Sequence, residues 1–228
     1  MIKLIRLEMK MVEFPKFILG AFITMLAMSL LLLLMFVTDN ANQGEISNQF
    51  FMVVDSMMCI ACIIFAGVFI SRLIIDEYRD KTIMLMFTYP IARKKIMIAK
   101  FVLVFLFTFS FIVISRFLVM NFLTTINSQY DFLPQSYSIT EIFRHCLNTI
   151  GFDLASSGIS LVPLFFGMRK KSTAATIVSS SIISSFSNGN FGDLHLGEYI
   201  GYTLGIGVIG IFIVYLSIRK IEYKDLLS

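Results

Sequence analysis

Three ionisable residues lie inside apolar segments of this sequence, where a charge is costly unless it is paired or reaches water. Asp55 and Arg116 lie at similar depths from the same ends of two such segments and carry opposite charges. Their matching depth predicts an ion pair or a shared polar cavity, with extension of each side chain to the headgroups as the alternative. Asp153 lies near the middle of a third segment, so we expect it to face the protein interior. The three residues are candidates for a polar or substrate path through the membrane.

Two familiar motifs are better explained by packing than by chemistry. Cys59 and Cys62 form a C-x-x-C one helical turn apart inside an apolar segment, which is typical of small packing residues rather than a redox or metal pair. Gly205, Gly207 and Gly210 form a G-x-G-x-x-G, but within an apolar segment instead of between a strand and a helix. This position predicts close helix packing rather than a dinucleotide site.

The remaining polar residues show no catalytic or cofactor signature. His145 and His195 belong to no metal-binding pattern such as H-E-x-x-H, so no metal site is expected. The sequence contains no G-x-x-x-x-G-K-[ST], so we expect no nucleotide to bind through a P-loop of this chain. The motifs therefore do not favour an enzyme.

The apolar segments themselves determine the class of protein. Of the 228 residues, 57% are hydrophobic and 15% are charged, whereas an average soluble domain has about 25% charged residues. Six segments approach the roughly 20 residues that a helix needs to cross the hydrocarbon. We predict an all-α membrane protein with a single transmembrane domain over residues 1–228. Its six transmembrane helices are expected at about 17–37, 50–75, 96–122, 142–166, 172–187 and 199–217.

The basic residues alternate with these spans. Seventeen of the nineteen Lys and Arg residues lie in or beside the N-terminus, the connections after spans two and four, and the C-terminus. The opposite loops, 38–49, 123–141 and 188–198, contain none. The positive-inside rule therefore places both termini in the cytoplasm. Because these residues border apolar segments, the net charge of +4 indicates a lipid bilayer surface and no nucleic acid partner.

Two stretches outside the spans are amphipathic. Lys3, Arg6 and Lys10 recur at steps of three and four, which predicts a helix at 1–15 lying in the cytoplasmic interface. Residues 76–100, DEYRDKTIMLMFTYPIARKKIMIAK, hold nine charged residues between spans two and three. Their pattern predicts a short cytoplasmic helix at about 76–88, which Pro90 ends.

The second stretch resembles the permease subunits of ABC type-2 exporters. That family has an acidic residue, a Thr about five positions on, an apolar triplet, a Pro, a small residue before Arg, and a Lys. Here the pattern falls on Glu77, Thr82, Met84–Met86, Pro90, Ala92–Arg93 and Lys100, and Lys81 stands where Gly is usual.

The resemblance implies a half-transporter. Two permeases, identical or related, would dimerise on two separate ABC ATPase subunits that bind ATP and Mg, with no cofactor on this chain. The helix at 76–88 would be the coupling helix that docks in a groove of the ATPase. Carried over by position, the ATPase-coupling residues are Asp76, Glu77, Arg79, Asp80 and Thr82, while Pro90 and Arg93 set the geometry of the returning span.

The resemblance also implies a substrate and a location. The segment FTYPIARKK is similar to small permeases of Gram-positive bacteria, which implies a bacterial plasma membrane and export of a membrane-active peptide such as a bacteriocin, toxin or peptide antibiotic. The Phe- and Met-rich spans offer apolar surface to such an amphipathic or hydrophobic substrate. Three alternatives stay open: export of a lipid-linked glycan or drug, an intramembrane enzyme using Asp55 and Asp153, and a membrane scaffold or sensor that transports nothing.

Overall fold

The computed structural model describes residues 14–40, 49–75, 93–130, 133, 137–170, 172–187, 190–191 and 194–195, together with 205, 207–208 and 210 of the predicted sixth span. The first thirteen residues of the predicted interfacial helix lie outside these ranges. The predicted coupling helix at 76–88 and Pro90 lie outside them as well.

The described chain is helical apart from two short strands. The helices are α1 (Phe14–Asn40), α2 (Phe50–Ile70), a π-helix (Ser71–Ile75), α3 (Arg93–Tyr130), α4 (Ile139–Asn148), α5 (Ile150–Ile159), α6 (Pro163–Lys170) and α7 (Thr173–Ser187). The strands β1 (Asn190–Phe191) and β2 (Leu194–His195) pair in antiparallel orientation. The prediction of an all-α protein is confirmed.

Four helical stretches among the described residues are long and apolar enough to cross a membrane. They are Pro15–Asp39, Phe50–Ile75, Met97–Tyr130 and Ile150–Lys170, and each overlaps one of the first four predicted spans. At the predicted fifth span, α7 has 15 residues, or about 22 Å at the α-helical rise, against roughly 30 Å of hydrocarbon. The chain is therefore a multi-pass membrane protein, and the count of six spans stays a prediction.

Helix α3 extends eight residues beyond its predicted end at 122. Its 38 residues make a rod of about 57 Å. The added turns contain polar side chains that donate hydrogen bonds to carbonyls one turn earlier in the same helix: Thr124, Thr125 and Ser128. Because these groups are satisfied locally, the helix continues after the apolar pattern ends.

The predicted fourth span, 142–166, is divided into three helices. Its first residues belong to α4. Ser138, the residue that caps the start of α4, donates its backbone N–H to the Glu141 carboxylate. The interruption between α5 and α6 precedes Pro163, which has no N–H to donate to the carbonyl of Ile159. The N–H of Val162 donates to that carbonyl instead, over 2.9 Å. The membrane-crossing stretch is therefore Ile150–Lys170, made of α5 and α6.

Helix α2 is the centre of the bundle, with α1, α3, α5 and α7 packed around it. One apolar cluster joins its first half to α1, α3 and α4 through residues such as Phe36, Phe50 and Met120. A second cluster, called here the inner cluster, joins its last turns to the start of α3 and to α6 through Phe69, Ile74, Phe101, Val104 and Leu164.

Glycines of the predicted sixth span pack directly on α5. A Cβ atom on Gly207 would lie 2.9 Å from the Cα of Ala155, and one on Gly210 would meet the carbonyl of Gly158. By contrast, a Cβ on Gly205 would have no neighbour within 4 Å. The packing role predicted for the G-x-G-x-x-G is therefore confirmed at its second and third glycines.

Replacing Gly158 with Val is expected to destabilise this contact. Its Cβ would lie 2.9 Å from the carbonyl oxygen of Gly207, which is backbone and cannot move aside. Overpacking of this kind costs about 1–3 kcal/mol, so the thermal unfolding temperature of the purified protein in detergent should fall. Gly151→Val in the same helix is the control, because a Cβ there has no neighbour within 4 Å. Equal losses in both variants would contradict the packing assignment.

Candidate functional site

Five side chains from four helices meet in a buried polar group, called here the ion cluster: Asp55 on α2, Arg116 on α3, His145 and Thr149 at α4 and its end, and Asp153 on α5. At its centre is Arg116, with 0% of its side chain exposed. Its Nε lies 2.9 Å from Oδ1 of Asp55, and its Nη2 lies 2.7 Å from Oδ1 of Asp153. The contact suggested by the matching depths of Asp55 and Arg116 is present, and Asp153 faces the interior as expected.

The third side of the guanidinium contacts a hydroxyl. Nη1 of Arg116 donates to Oγ1 of Thr149 over 2.6 Å, while that hydroxyl donates to the carbonyl of His145 over 3.0 Å. Attraction between the guanidinium and the two carboxylates therefore holds Asp55 and Asp153 in the ion cluster.

His145 and Thr149 are the two members of the ion cluster that the sequence reasoning missed. Nε2 of His145 lies 2.8 Å from Oδ2 of Asp55, and the imidazole ring stacks on Phe51 with centroids 4.4 Å apart. A signal was present, because His145, Thr149 and Asp153 recur every fourth residue and so share one helix face. That face indicates an ion cluster only when it is known that Arg116, on another helix, lies opposite it.

The charges of the ion cluster do not balance while the imidazole is neutral. Two carboxylates then face a single guanidinium, and a proton on His145 would bring the sum to zero. A buried charge without an opposite charge is unfavourable. The cluster is therefore sensitive to the loss of its arginine and tolerant of the loss of one carboxylate.

The ion cluster is open on one side. Asp153 is 1% exposed, whereas Asp55 is 17% and His145 is 26% exposed. Along α3, Arg116 lies about 28 Å from Met97, close to the full thickness of the hydrocarbon. The cluster and the predicted coupling segment are therefore at opposite ends of the membrane-crossing part of the protein.

The cysteines next to the ion cluster are buried and form no disulfide. The Cys59 thiol donates to the Ser156 hydroxyl over 3.3 Å, and Cys62 Sγ lies 3.6 Å from Ser115 Oγ. Both contacts join α2 to a neighbouring helix, in agreement with a packing role. The described residues contain no group of three or more His, Cys, Asp or Glu side chains that could hold a metal ion.

The serine-rich helix α7 is satisfied by its own backbone. Five of its serine hydroxyls each donate to a carbonyl three or four residues earlier: Ser179, Ser180, Ser181, Ser184 and Ser185. Ser180 is buried against Gly67 of α2, while Val178, Ile182 and Phe186 form an exposed apolar stripe. Neighbouring helices therefore shelter one face of α7, and the opposite face is apolar.

The predicted coupling residues are mostly outside the described ranges. Arg93 is the first residue of α3, and its backbone position is all that the structure gives. The others, Asp76, Glu77, Arg79, Asp80, Thr82 and Pro90, are not described. Their role in coupling stays a prediction.

Similarities to known proteins cover almost the whole chain. Residues 4–188 match the family described as ABC-2 family transporter protein. A Bacillus subtilis protein, named as the uncharacterized protein YcbO, is 31% identical over 225 residues, which are 97% of this chain and 99% of the relative. No solved structure matches the chain. The family match includes α1 to α7 and the charged segment 76–100.

Proposed function

The chain belongs to the ABC-2 transporter family, and on that premise we propose that it is the transmembrane subunit of an ATP-driven exporter. Members of this family are membrane subunits of transporters and work with ABC ATPase partners. In our proposal two copies of this chain, or one copy and a related permease, sit on two ATPase subunits in a bacterial plasma membrane. ATP and Mg bind to those subunits.

The single observation that carries the proposal is the family match over residues 4–188. It is supported by four membrane-crossing helices and by the absence of a P-loop from the 228-residue sequence. An exporter subunit without a nucleotide site needs a surface that contacts the ATPase and responds to its nucleotide state. The charged segment 76–88, with Asp76, Glu77, Arg79, Asp80 and Thr82, supplies that surface in our proposal.

Coupling through this segment has a thermodynamic requirement. The contact with the ATPase must differ in free energy between the nucleotide-bound and nucleotide-free states, because otherwise nothing is transmitted. Charged side chains on a short helix meet this requirement, since ion pairs across an interface depend steeply on distance. Pro90 and Arg93 then fix how the chain returns to the membrane at the start of α3.

We propose an amphipathic or hydrophobic substrate, specifically a membrane-active peptide. The chain contains 24 Phe and 14 Met residues, whose side chains adapt to varied apolar surfaces. While the imidazole of His145 is neutral, the ion cluster adds an excess of negative charge at one end of the bundle, next to Phe51 and Tyr137. This combination suits a peptide with apolar and cationic residues better than a lipid-linked glycan.

The geometry speaks against an intramembrane enzyme built on Asp55 and Asp153. Both carboxylates contact the same guanidinium. This is the arrangement of an ion cluster that joins helices, rather than of two acids that share a proton and alternate as acid and base.

The test is reconstitution of the chain with ABC ATPases of the same genome, beginning with any that is encoded next to its gene. The tagged chain is expected to co-purify with one of these ATPases, and amphipathic cationic peptides should raise ATP hydrolysis in proteoliposomes by about 2–10-fold. Lipid-linked glycans and uncharged drugs are the comparison substrates. A chain that binds no ATPase would contradict the exporter proposal. Stimulation by glycans or drugs alone would leave the exporter and overturn the peptide.

A further inference from the structure

Lys100 is a buried cation within the apolar part of α3. It is 2% exposed, although a lysine in a membrane helix normally extends its amine to the headgroups. It lies about 10 Å along the helix from Arg93, and its neighbours Ala99 and Phe101 are buried as well. An amine retained at this depth needs a partner that justifies its desolvation.

One partner is a backbone carbonyl near the end of span two. The Nζ of Lys100 donates to the carbonyl oxygen of Leu73 over 3.2 Å. Leu73 is the middle residue of the π-helix Ser71–Ile75. A cation next to the last carbonyls of a helix is favourable because those carbonyls carry the negative end of the helix dipole. Single π-turns inside α-helical segments are rare and are frequent at functional sites.

The π-helix is also packed on two further elements. A Cβ atom on Gly167 of α6 would lie 2.9 Å from Cδ1 of Ile75 and would meet the hydroxyl of Thr176 on α7. Leu73 and Ile74 are buried in the inner cluster with the start of α3. A movement of these five residues therefore cannot occur without a response in α3, α6 and α7.

The position of the π-helix in the sequence gives this contact its significance. Ile75 is followed directly by residue 76, where the proposed coupling segment begins. The hydrogen bond from Lys100 thus joins span three to the last turn of span two before the chain meets the ATPase. Span three carries Arg116 about 24 Å further along the same helix, so one rigid element connects this bond to the ion cluster.

We propose that Lys100 is a positioning residue for coupling: it holds the last turn of span two as a π-helix and passes displacements of the segment 76–88 to span three. This inference rests on the proposed function. It assigns to Lys100 no contact with substrate or nucleotide.

The test uses Lys100→Met, which keeps the length of the side chain and removes its donor. In the reconstituted complex, peptide stimulation of ATP hydrolysis should fall at least about 5-fold, the scale of an ordinary coupling free energy. ATPase binding and the unstimulated rate should stay within about twofold, because the coupling segment is unchanged. Lys100→Arg should restore most of the stimulation. Lys170→Met, at an exposed lysine of α6, is the matched control and should behave as the wild type.

A second readout does not depend on the ATPase. Amide hydrogen exchange of a peptide covering 71–75 should be faster in Lys100→Met than in the wild type by at least about tenfold, because the π-helix loses its hydrogen bond to Lys100 of α3. Lys100→Gln, which retains a neutral donor, should give an intermediate rate and serves where the Met variant is poorly folded.

The ATPase measurement and the hydrogen-exchange measurement together distinguish which part of the proposal is wrong. Unchanged exchange in Lys100→Met overturns the claim that Lys100 holds the π-helix. Faster exchange with intact peptide stimulation overturns the coupling role, since the lysine would then be structural only. A wild-type complex that shows no stimulation at all overturns the proposed function, and the exchange result still reports on the π-helix.

Discussion

Replacing Arg116 with Leu is expected to have the largest effect on folding of any single change in the described residues. The substitution removes the only cation that contacts both Asp55 and Asp153 within the ion cluster. Removing one partner of a buried ion pair costs about 3–5 kcal/mol, and here one arginine serves two carboxylates. Because the stability of a folded protein is only about 5–15 kcal/mol, the variant should express poorly and unfold at a much lower temperature in detergent.

Two comparisons make this prediction specific. The triple variant Asp55→Asn, Arg116→Leu, Asp153→Asn removes all three charges and should recover most of the lost stability, since replacing a whole buried ion group is often close to neutral. Arg144→Leu, at an exposed arginine of α4, is the control and should change stability by less than about 0.5 kcal/mol. If the triple variant is as unstable as Arg116→Leu, unpaired charge is not the cause.

Replacing Glu77 with Arg is expected to have the largest effect on coupling. The change reverses a charge near the start of the proposed coupling segment, so a favourable ion pair with the ATPase would become a repulsive one. We expect the chain to insert normally, while binding of the ATPase or peptide-stimulated hydrolysis falls by more than about tenfold, or about 1.4 kcal/mol.

The measurement is co-purification followed by stimulated hydrolysis in proteoliposomes. Glu222→Arg, in the C-terminal segment predicted to face the cytoplasm, introduces the same charge change and should leave both readouts at the wild-type level. Normal coupling in Glu77→Arg would show that this acidic residue is not part of the surface that contacts the ATPase. Loss of coupling in both variants would point to a general effect of added positive charge.

The sequence was sufficient to predict the class of protein. It also indicated which charged residues lie at matching depths in the bilayer. The first four spans follow from apolar runs, because a membrane demands length and low polarity from each helix separately. The matching depths of Asp55 and Arg116 suggested a pair or a shared cavity, with extension to the headgroups as the alternative, and the two side chains are in contact. Asp153 was assigned to the interior because a carboxylate in mid-span cannot easily reach a headgroup.

Contacts between helices were less predictable than the helices themselves. His145 and Thr149 lie on the same helix face as Asp153, but nothing in the sequence indicates which helix that face meets. The hydrogen bond from Lys100 to Leu73 involves a backbone carbonyl in a π-helix, and hydrophobic periodicity does not report a change from α to π geometry. The extension of α3 to Tyr130 was missed because its polar side chains donate to backbone carbonyls of the same helix, which hydrophobic periodicity does not report.

The arrangement of the ion cluster has a consequence for biosynthesis. Asp55 and Arg116 belong to consecutive spans, so they can enter the bilayer together as a helical hairpin whose opposite charges cancel. A charge inside a membrane helix is costly to insert, and pairing within the hairpin would offset part of that cost. His145 and Asp153 follow later with α4 and α5 and join a pair that already exists. At no stage of synthesis does the growing ion cluster hold more than one unbalanced charge.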